Sequence, residues 1–424
     1  MTELLVIARF FHFAATVLAT GPLFFRVFIA DPAIGTLDAG AGEAFRASSA
    51  RIVWIALALA VLSGAAWLVL LAANIYGATI YDVCAQGGVF TVAGNTRFGH
   101  IWCLRFVAAM AIAVLVPRSS VSRAPLNVVL LLLAAGLLIS LAWVGHAGAT
   151  PGINGDIHLI SDCLHLLAAG AWVGGLLPLA MLLARAHSDE RIWKAVPGAV
   201  RRFSVLGVAC VGTLLLSGIV NALYLVVTPA NLVDTDYGRL VLAKIALFAV
   251  MVCVATFNKL YLTPRLAGAG AARALQRNSL VELALGAVVL LVVGFLGTMP
   301  PASHGHAHAQ YGPVAADAAF VHIHSEDGMA DVTITPGRTG TSRATIRLWH
   351  EDLTELPART VTLSLTPPGA QKTALARVAR QLADGSWEAD AIQLSERGNW
   401  TVKVDAQLSP AGRLELDAPI VIGR

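Results

Sequence analysis

Residues 9–25 read RFFHFAATVLATGPLFF, and residues 162–178 read DCLHLLAAGAWVGGLLP. Each is an apolar run with one histidine. Each lies within a longer apolar segment of the length a bilayer-crossing helix needs, about 20 residues. Aligning His12 with His165 also aligns Gly21 with Gly174. The match continues downstream. Ser63-Gly64 in the second apolar segment answers Ser217-Gly218 in the sixth. Gly99 and Arg105 in the third answer Gly238 and Lys244 in the seventh, with the same spacing. His146 closes the fourth, and His304 follows the eighth. Matches in this order predict a duplicated four-helix unit, about 1–150 and 151–301. An even number of spans per unit gives both halves one orientation, related by an axis along the membrane normal.

The composition agrees with a membrane chain. Of 424 residues, 57% are hydrophobic and 13% charged, against about 25% charged in soluble proteins. Mean hydropathy is +0.70. Eight spans are expected, at roughly 3–30, 52–73, 99–117, 125–145, 157–184, 203–227, 239–262 and 280–299. The first lacks a basic leader and a small-residue cleavage site, so it reads as a retained helix. The loops set the orientation. Residues 118–123 are basic without an acid. Arg185, Arg191, Lys194, Arg201 and Arg202 follow the fifth span, and Arg265, Arg273 and Arg277 follow the seventh. The intervening loops carry Asp82, Asp156, Asp234 and Asp236. By the positive-inside rule the basic loops are cytoplasmic, which puts both termini in the periplasm. The loop after the first span is the weakest vote, because Arg46 and Arg51 sit with Asp31, Asp38 and Glu43.

After Pro300-Pro301 the pattern changes. Residues 302–316 form a His-, Ala- and Gly-rich linker. Beyond it the runs FVHIHS, ADVTIT, RATIRLWH, RTVTLSLT, NWTVKVDA and APIVI alternate apolar with polar residues. That period predicts a small all-β, immunoglobulin-like sandwich over 317–424, following an all-α membrane domain over 1–301. The five cysteines form no CxxC pair and no disulfide framework.

The histidines carry the candidate chemistry. Histidine inside a bilayer is uncommon and marks function by default. The expected topology places His12, His100, His146, His158 and His165 in the outer half of the membrane or at its periplasmic mouth. His158, Asp162 and His165 are spaced to share one helix face, where imidazoles bind metal and a carboxylate binds or orients. His304, His306 and His308 alternate in the linker, and His322 and His324 repeat that spacing in the first strand run; such tracts take Cu(II), Zn(II) or Ni(II). The bland alternative is that these polar residues join helices or stay wet at the interface. Arg105 and Lys244, two turns deep at matched places, either snorkel or act on an ion near the path. The six Met residues do not cluster, which argues against a Met-lined Cu(I) channel.

The runs LHLLAAGAWVGGLLPLAMLL (164–183), RRFSVLGVACVGTLLLSGIVNALYLV (201–226) and YGRLVLAKIALFAVMVCVATFNKLYLTPRL (237–266) resemble the CopD copper-resistance membrane proteins. The motifs behind the resemblance are His165 with Trp172-Val-Gly-Gly175, Ser217-Gly218, and Gly238 followed by Lys244 and Asn258. The resemblance is close over 155–300 and looser in the first half. It implies an eight-helix protein of the bacterial inner membrane that takes up copper from the periplasm, often beside a periplasmic β-sandwich carrier, CopC. The tail is similar in class to CopC-like or YtkA-like sandwiches, with DGSWEADAIQLSERGNWTVKVDA (384–406) resembling their closing strands. It lacks the Met-rich strands of the YtkA-like pattern.

Three functions follow as expectations. The first is a copper permease, with copper as Cu(II) or Cu(I). The second is a membrane cytochrome with haem held by His12 and His165, or by His146 and His158. The third is a copper sensor or scaffold that moves nothing. No GxxxxGK[ST] or GxSxG run is present, so neither an ATP-driven pump nor a serine hydrolase is expected. The Ser-Gly pairs read as small residues that let helices approach.

Overall fold

A computed structural model of the chain describes residues 2–34, 39–76, 78–117, 124–145, 152–266, 268–299, 301–302, 317–325, 328–350, 355–368, 374–409 and 412–423. The chain divides into two compact units. One comprises Met1–Leu71 with Val89–Gly305, and the other Ala72–Gly88 with His306–Arg424.

Eight helices among the described residues are long and apolar enough to cross a membrane. They are α1 (Thr2–Phe25), α2 (Ala39–Tyr76), α3 (Arg97–Leu115), α4 (Ala124–Ile139), α5 (Gly152–Ala186), α6 (Glu190–Leu225), α7 (Asp236–Phe257) and α8 (Ala269–Leu296). Several outrun their expected spans. Helix α2 begins thirteen residues before position 52, and α6 begins thirteen before position 203. Hydropathy marks only the part of a helix that lipid surrounds. Charged residues such as Arg46, Arg191 and Lys194 are good helix formers and continue the helix beyond it. Large apolar side chains such as Ile55, Leu62, Leu132, Leu216 and Val205 are exposed on these helices, the surface that a lipid solvent accepts and water does not.

Positions matched in sequence share local geometry. Helices α1 and α5 cross where Gly21 meets Gly174. A Cβ on Gly174 would lie 2.6 Å from the Val17 carbonyl oxygen and 2.7 Å from the Gly21 Cα, and a Cβ on Gly21 would collide with the Gly174 backbone. The two aligned glycines thus let the halves approach backbone to backbone. Helices α3 and α7 start alike. Thr96 Oγ1 accepts the Gly99 N–H at 3.0 Å and donates to the Val92 carbonyl at 2.6 Å. Thr235 Oγ1 accepts the Gly238 N–H at 2.9 Å and donates to the Asn231 carbonyl at 2.7 Å. Both are N-caps that supply an acceptor to a first-turn amide. Both glycines lie against the short helix before them, Gly88–Asn95 or Pro229–Asp234, where a side chain would strike backbone.

Among the described residues the β unit has eight antiparallel strands: β1 (Ala319–Ser325), β2 (Gly328–Thr335), β3 (Gly340–Trp349), β4 (Ala358–Thr366), β5 (Leu375–Gln381), β6 (Trp387–Leu394), β7 (Gly398–Leu408) and β8 (Arg413–Ile422). Their order is β1-β2-β3-β6-β5-β4-β7-β8. The seam between β6 and β5 is narrow, with Arg380 opposite Glu388 and Gln381 opposite Trp387. It joins two four-stranded layers that share one core, including Ile346, Leu363, Trp387, Trp400 and Val404. Strand β5 has no counterpart among the alternating runs read from sequence, because only Ala379 of LARVARQ is buried.

Candidate functional site

Each half presents its matched histidine to a Ser-Gly pair, and the two histidines end up in different surroundings. In the first half His12 is buried in α1, 4% exposed. Arg105 of α3 places Nη2 2.8 Å from His12 Nε2. Guanidinium has donors only, so Nε2 accepts and the ring hydrogen sits on Nδ1. Nδ1 then donates to the Ala60 carbonyl at 2.9 Å. Both ring nitrogens are occupied. Arg105 also donates to Thr16 Oγ1 at 3.0 Å, Ser140 Oγ at 2.5 Å and the Leu137 carbonyl at 2.6 Å. One planar fork therefore ties α1, α3 and α4 together.

In the second half His165 of α5 approaches Ser217 of α6, with Nδ1 2.9 Å from Oγ. The Ser217 hydroxyl donates to the Thr213 carbonyl at 2.6 Å, so its lone pair receives the Nδ1 hydrogen. Nε2 carries a lone pair and has no hydrogen-bond partner among the described residues. His165 lines a cavity of about 260 Å³ with His158, Asp162, Asn221, Tyr237 and Lys244. Asp162 accepts from Asn221 Nδ2 at 3.2 Å. His158 is buried and stacks on Tyr224, with centroids 4.8 Å apart. Lys244 lies close enough to Asp162 for the two charges to interact. Arg9, which occupies in α1 the place Asp162 occupies in α5, reaches the same cavity. It packs over the Trp67 ring at 4.8 Å and donates to the Gly297 carbonyl.

The Ser-Gly pairs have a role that helix approach does not describe. Ser63 and Ser217 each reach a histidine Nδ1, at 3.4 and 2.9 Å. A Cβ on Gly64 would lie 3.0 Å from His12 Cε1, and one on Gly218 would lie 3.8 Å from His165 Cε1. The serine orients the imidazole, and at Gly64 the missing side chain leaves room for the ring edge, whereas a Cβ at Gly218 would make ordinary contact.

The other sequence candidates are dispersed. His158, Asp162 and His165 share the α5 cavity. His100 is exposed at the start of α3, its Nε2 bonded to the Gly94 carbonyl at 2.7 Å. His322 stands opposite Asp331 and His324 opposite Met329 in the β1–β2 register. His146, His304, His306 and His308 lie outside the described residues. No group of three or more His, Cys, Asp or Glu side chains placed to hold a metal ion occurs among the described residues. With Nε2 of His12 engaged by Arg105, that ring offers no axial lone pair to a haem iron. Asn221, Tyr237 and the direct bond from Arg105 to His12 were not foreseen. The matched depths of Arg105 and Lys244 were the available signal.

Two family profiles match the chain: copper resistance protein D-like, N-terminal domain, over residues 1–156, and copper resistance protein D over residues 197–296. The inner membrane protein YebZ of Escherichia coli (strain K12) is 31% identical over 305 residues, 69% of this chain and 97% of that protein. This chain belongs to the copper resistance protein D family. The copper resistance protein D of Pseudomonas syringae pv. tomato is 31% identical over 62% of this chain and 86% of its own length. The copper transport protein CutJ of Bacillus subtilis (strain 168) is 26% identical over 63% of this chain and 47% of its own length. No solved structure matches the chain. The two profiles cover the first four helices and residues 197–296 of the second half, leave most of α5 between them, and do not reach the β strands.

Proposed function

We propose that this multi-pass membrane protein carries copper ions across the bacterial inner membrane, from periplasm to cytoplasm, as part of copper homeostasis. Family membership supports the copper assignment, and relatives bear the names copper resistance protein D and copper transport protein. The observation that carries the transport reading is His165 Nε2, open to a cavity that also holds Asp162 and His158. Imidazole with carboxylate suits Cu(II) and other borderline ions. A path works when each stop binds an ion well enough to admit it and loosely enough to release it. One or two protein ligands per stop, with water completing the coordination, meets that condition better than a closed cage.

The basic loops would face the cytoplasm and both termini the periplasm. The linker histidines His304, His306 and His308, with His322 and His324 of β1, would then collect copper on the entry side, either directly or from a soluble CopC-like carrier. His100, His146, His158 and His165 would form the outer layer that receives it. His12, locked by Arg105, would hold the first half together.

The test is metal analysis and an absorption spectrum on purified full-length protein, followed by copper uptake into proteoliposomes. Wild type should retain copper, show no Soret band and transport it, and His165→Ala should bind copper more weakly and lose uptake. Binding without uptake would replace transport with sensing. A Soret band lost in His165→Ala would replace it with electron-transfer chemistry.

A further inference from the structure

A second cavity, of about 150 Å³, lies between α5, α6, α7 and α8, nearer the helix ends that carry the basic loops. Its wall is apolar over most of its extent, formed by residues such as Trp172, Leu176, Phe203 and Val252. Into it faces one acid, Glu282 of α8, which is 2% exposed. Glu282 Oε1 accepts from Asn258 Nδ2 at 2.7 Å, and Asn258 Oδ1 accepts from Asn278 Nδ2 at 2.7 Å. The two amides are thus aligned donor to acceptor toward the carboxyl. Oε2 has no partner among the described residues.

The backbone is shaped around this group. Asn258 opens a π-helical turn, Asn258–Leu262, at the end of α7. Thr263 Oγ1 donates to the Asn258 carbonyl at 2.9 Å and fixes the turn. Helices α5, α6 and α7 bring no charged side chain to the cavity wall. Lys259, from the π turn, lines it but forms no ion pair with Glu282 among the described residues.

The first half handles its acid near the basic loops differently. Asp31 accepts from Arg26 Nε at 3.3 Å, Arg46 Nη1 at 3.4 Å and Asn127 Nδ2 at 3.3 Å. Its charge is compensated by two guanidinium groups. Glu282 has no such cation and too few oxygens for a hard divalent ion, which wants six or more. An unpaired carboxylate in an apolar wall is costly, and one added proton removes the charge. A proton is therefore the ligand this site fits.

We propose that Glu282 is a proton-binding site that couples copper passage to proton movement. The proton adds to Oε2, forming a carboxylic acid O–H directed into the cavity, while Oε1 keeps the Asn258 bond. Release of the proton toward the basic-loop end restores the carboxylate. The coupling clause rests on the transport reading above, and the proton site itself does not.

The two are tested separately with full-length protein in liposomes. Infrared difference spectra across a pH titration, without copper, should show a carboxylic-acid carbonyl band in wild type. That band should be missing in Glu282→Gln and shifted in Glu282→Asp. Spectra of wild type and Glu282→Gln that match at every pH overturn the proton site. Copper uptake under an imposed pH gradient should be several-fold faster than without one in wild type. Glu282→Gln should lose that stimulation while keeping copper bound at His165. Equal stimulation in both proteins overturns the coupling. A wild type that carries no copper while its infrared band titrates overturns the transport reading and the coupling together, and leaves the proton site standing. Glu282→Asp guards against misfolding of the neutral variant, since it should keep part of the stimulation.

Discussion

Arg105 and Lys244 occupy matched positions in the two halves, yet they leave their histidines in opposite conditions. Arg105 spreads its planar fork over His12, Thr16, Ser140 and the Leu137 carbonyl. The lysine side chain ends in one compact ammonium and cannot bridge three helices in that way. His165 Nε2 stays open to a cavity. Matched positions thus form a structural lock in one half and an accessible polar pocket in the other. Duplication keeps backbone positions, whereas the chemistry at each position follows from the number and geometry of donors that a single side chain supplies.

The sharpest way to break this comparison is to remove each histidine in turn. His165→Ala should weaken copper binding about 10- to 100-fold, the range seen when groups that tune a metal site are lost. His12→Ala should leave it within a few-fold, as measured by copper titration of purified protein. Equal losses in the two variants would mean that both halves hold copper.

Exchanging the cations sharpens it further. Arg105→Lys should free His12 Nε2 and add a weak copper-binding event, and Lys244→Arg should fill the His165 cavity and reduce binding there. Arg105→Ala should instead destabilise the bundle, at about 1–3 kcal/mol for each buried group left unpaired, read as a lower melting temperature in detergent.

The crossing between the halves should be symmetrical where the sites are not. Gly21→Ala and Gly174→Ala each force backbone apart at one contact, with a cost of about 1–3 kcal/mol expected for overpacking. The two melting temperatures should fall by similar amounts. A drop confined to one variant would show that only one helix can yield.

The smallest effect belongs to the β unit. Arg413 donates two hydrogen bonds to Asp405, and the bonded guanidinium holds that carboxyl below its ordinary range. A depressed acid stabilises the fold above its unfolded value and loses that contribution as pH falls through its folded value. Protection of the β7 and β8 amides, corrected for the intrinsic slowing of exchange in acid, should therefore fall on acidification below the usual carboxylate range. Asp405→Asn should flatten this dependence slightly, because Arg413 is exposed and Asp405 only half-buried.

Much of the architecture was legible in the residues. Apolar length marks a span whatever its neighbours do, so all eight spans could be read from the chain, as could the ordered matches from His12 to His165 and from Gly99 to Gly238. Alternating burial marked most of the strands for the same reason, and it failed at β5, where the exposed face outweighs a single buried alanine, and at β6, whose alternation breaks in the middle. The start points of α2 and α6 were misplaced because hydropathy stops at the lipid boundary while helix hydrogen bonding does not. The open and closed histidines were beyond reach. Whether Arg105 meets His12, or Glu282 meets Asn258 from another helix 24 residues away, depends on helix rotation and crossing. Those are set by the Gly21–Gly174 contact and the packing around it. Local sequence encodes which face a residue occupies on its own helix. Only the assembled bundle decides what stands opposite, because hydrogen bonds act over about 3 Å and a helix turned by one residue presents a different donor.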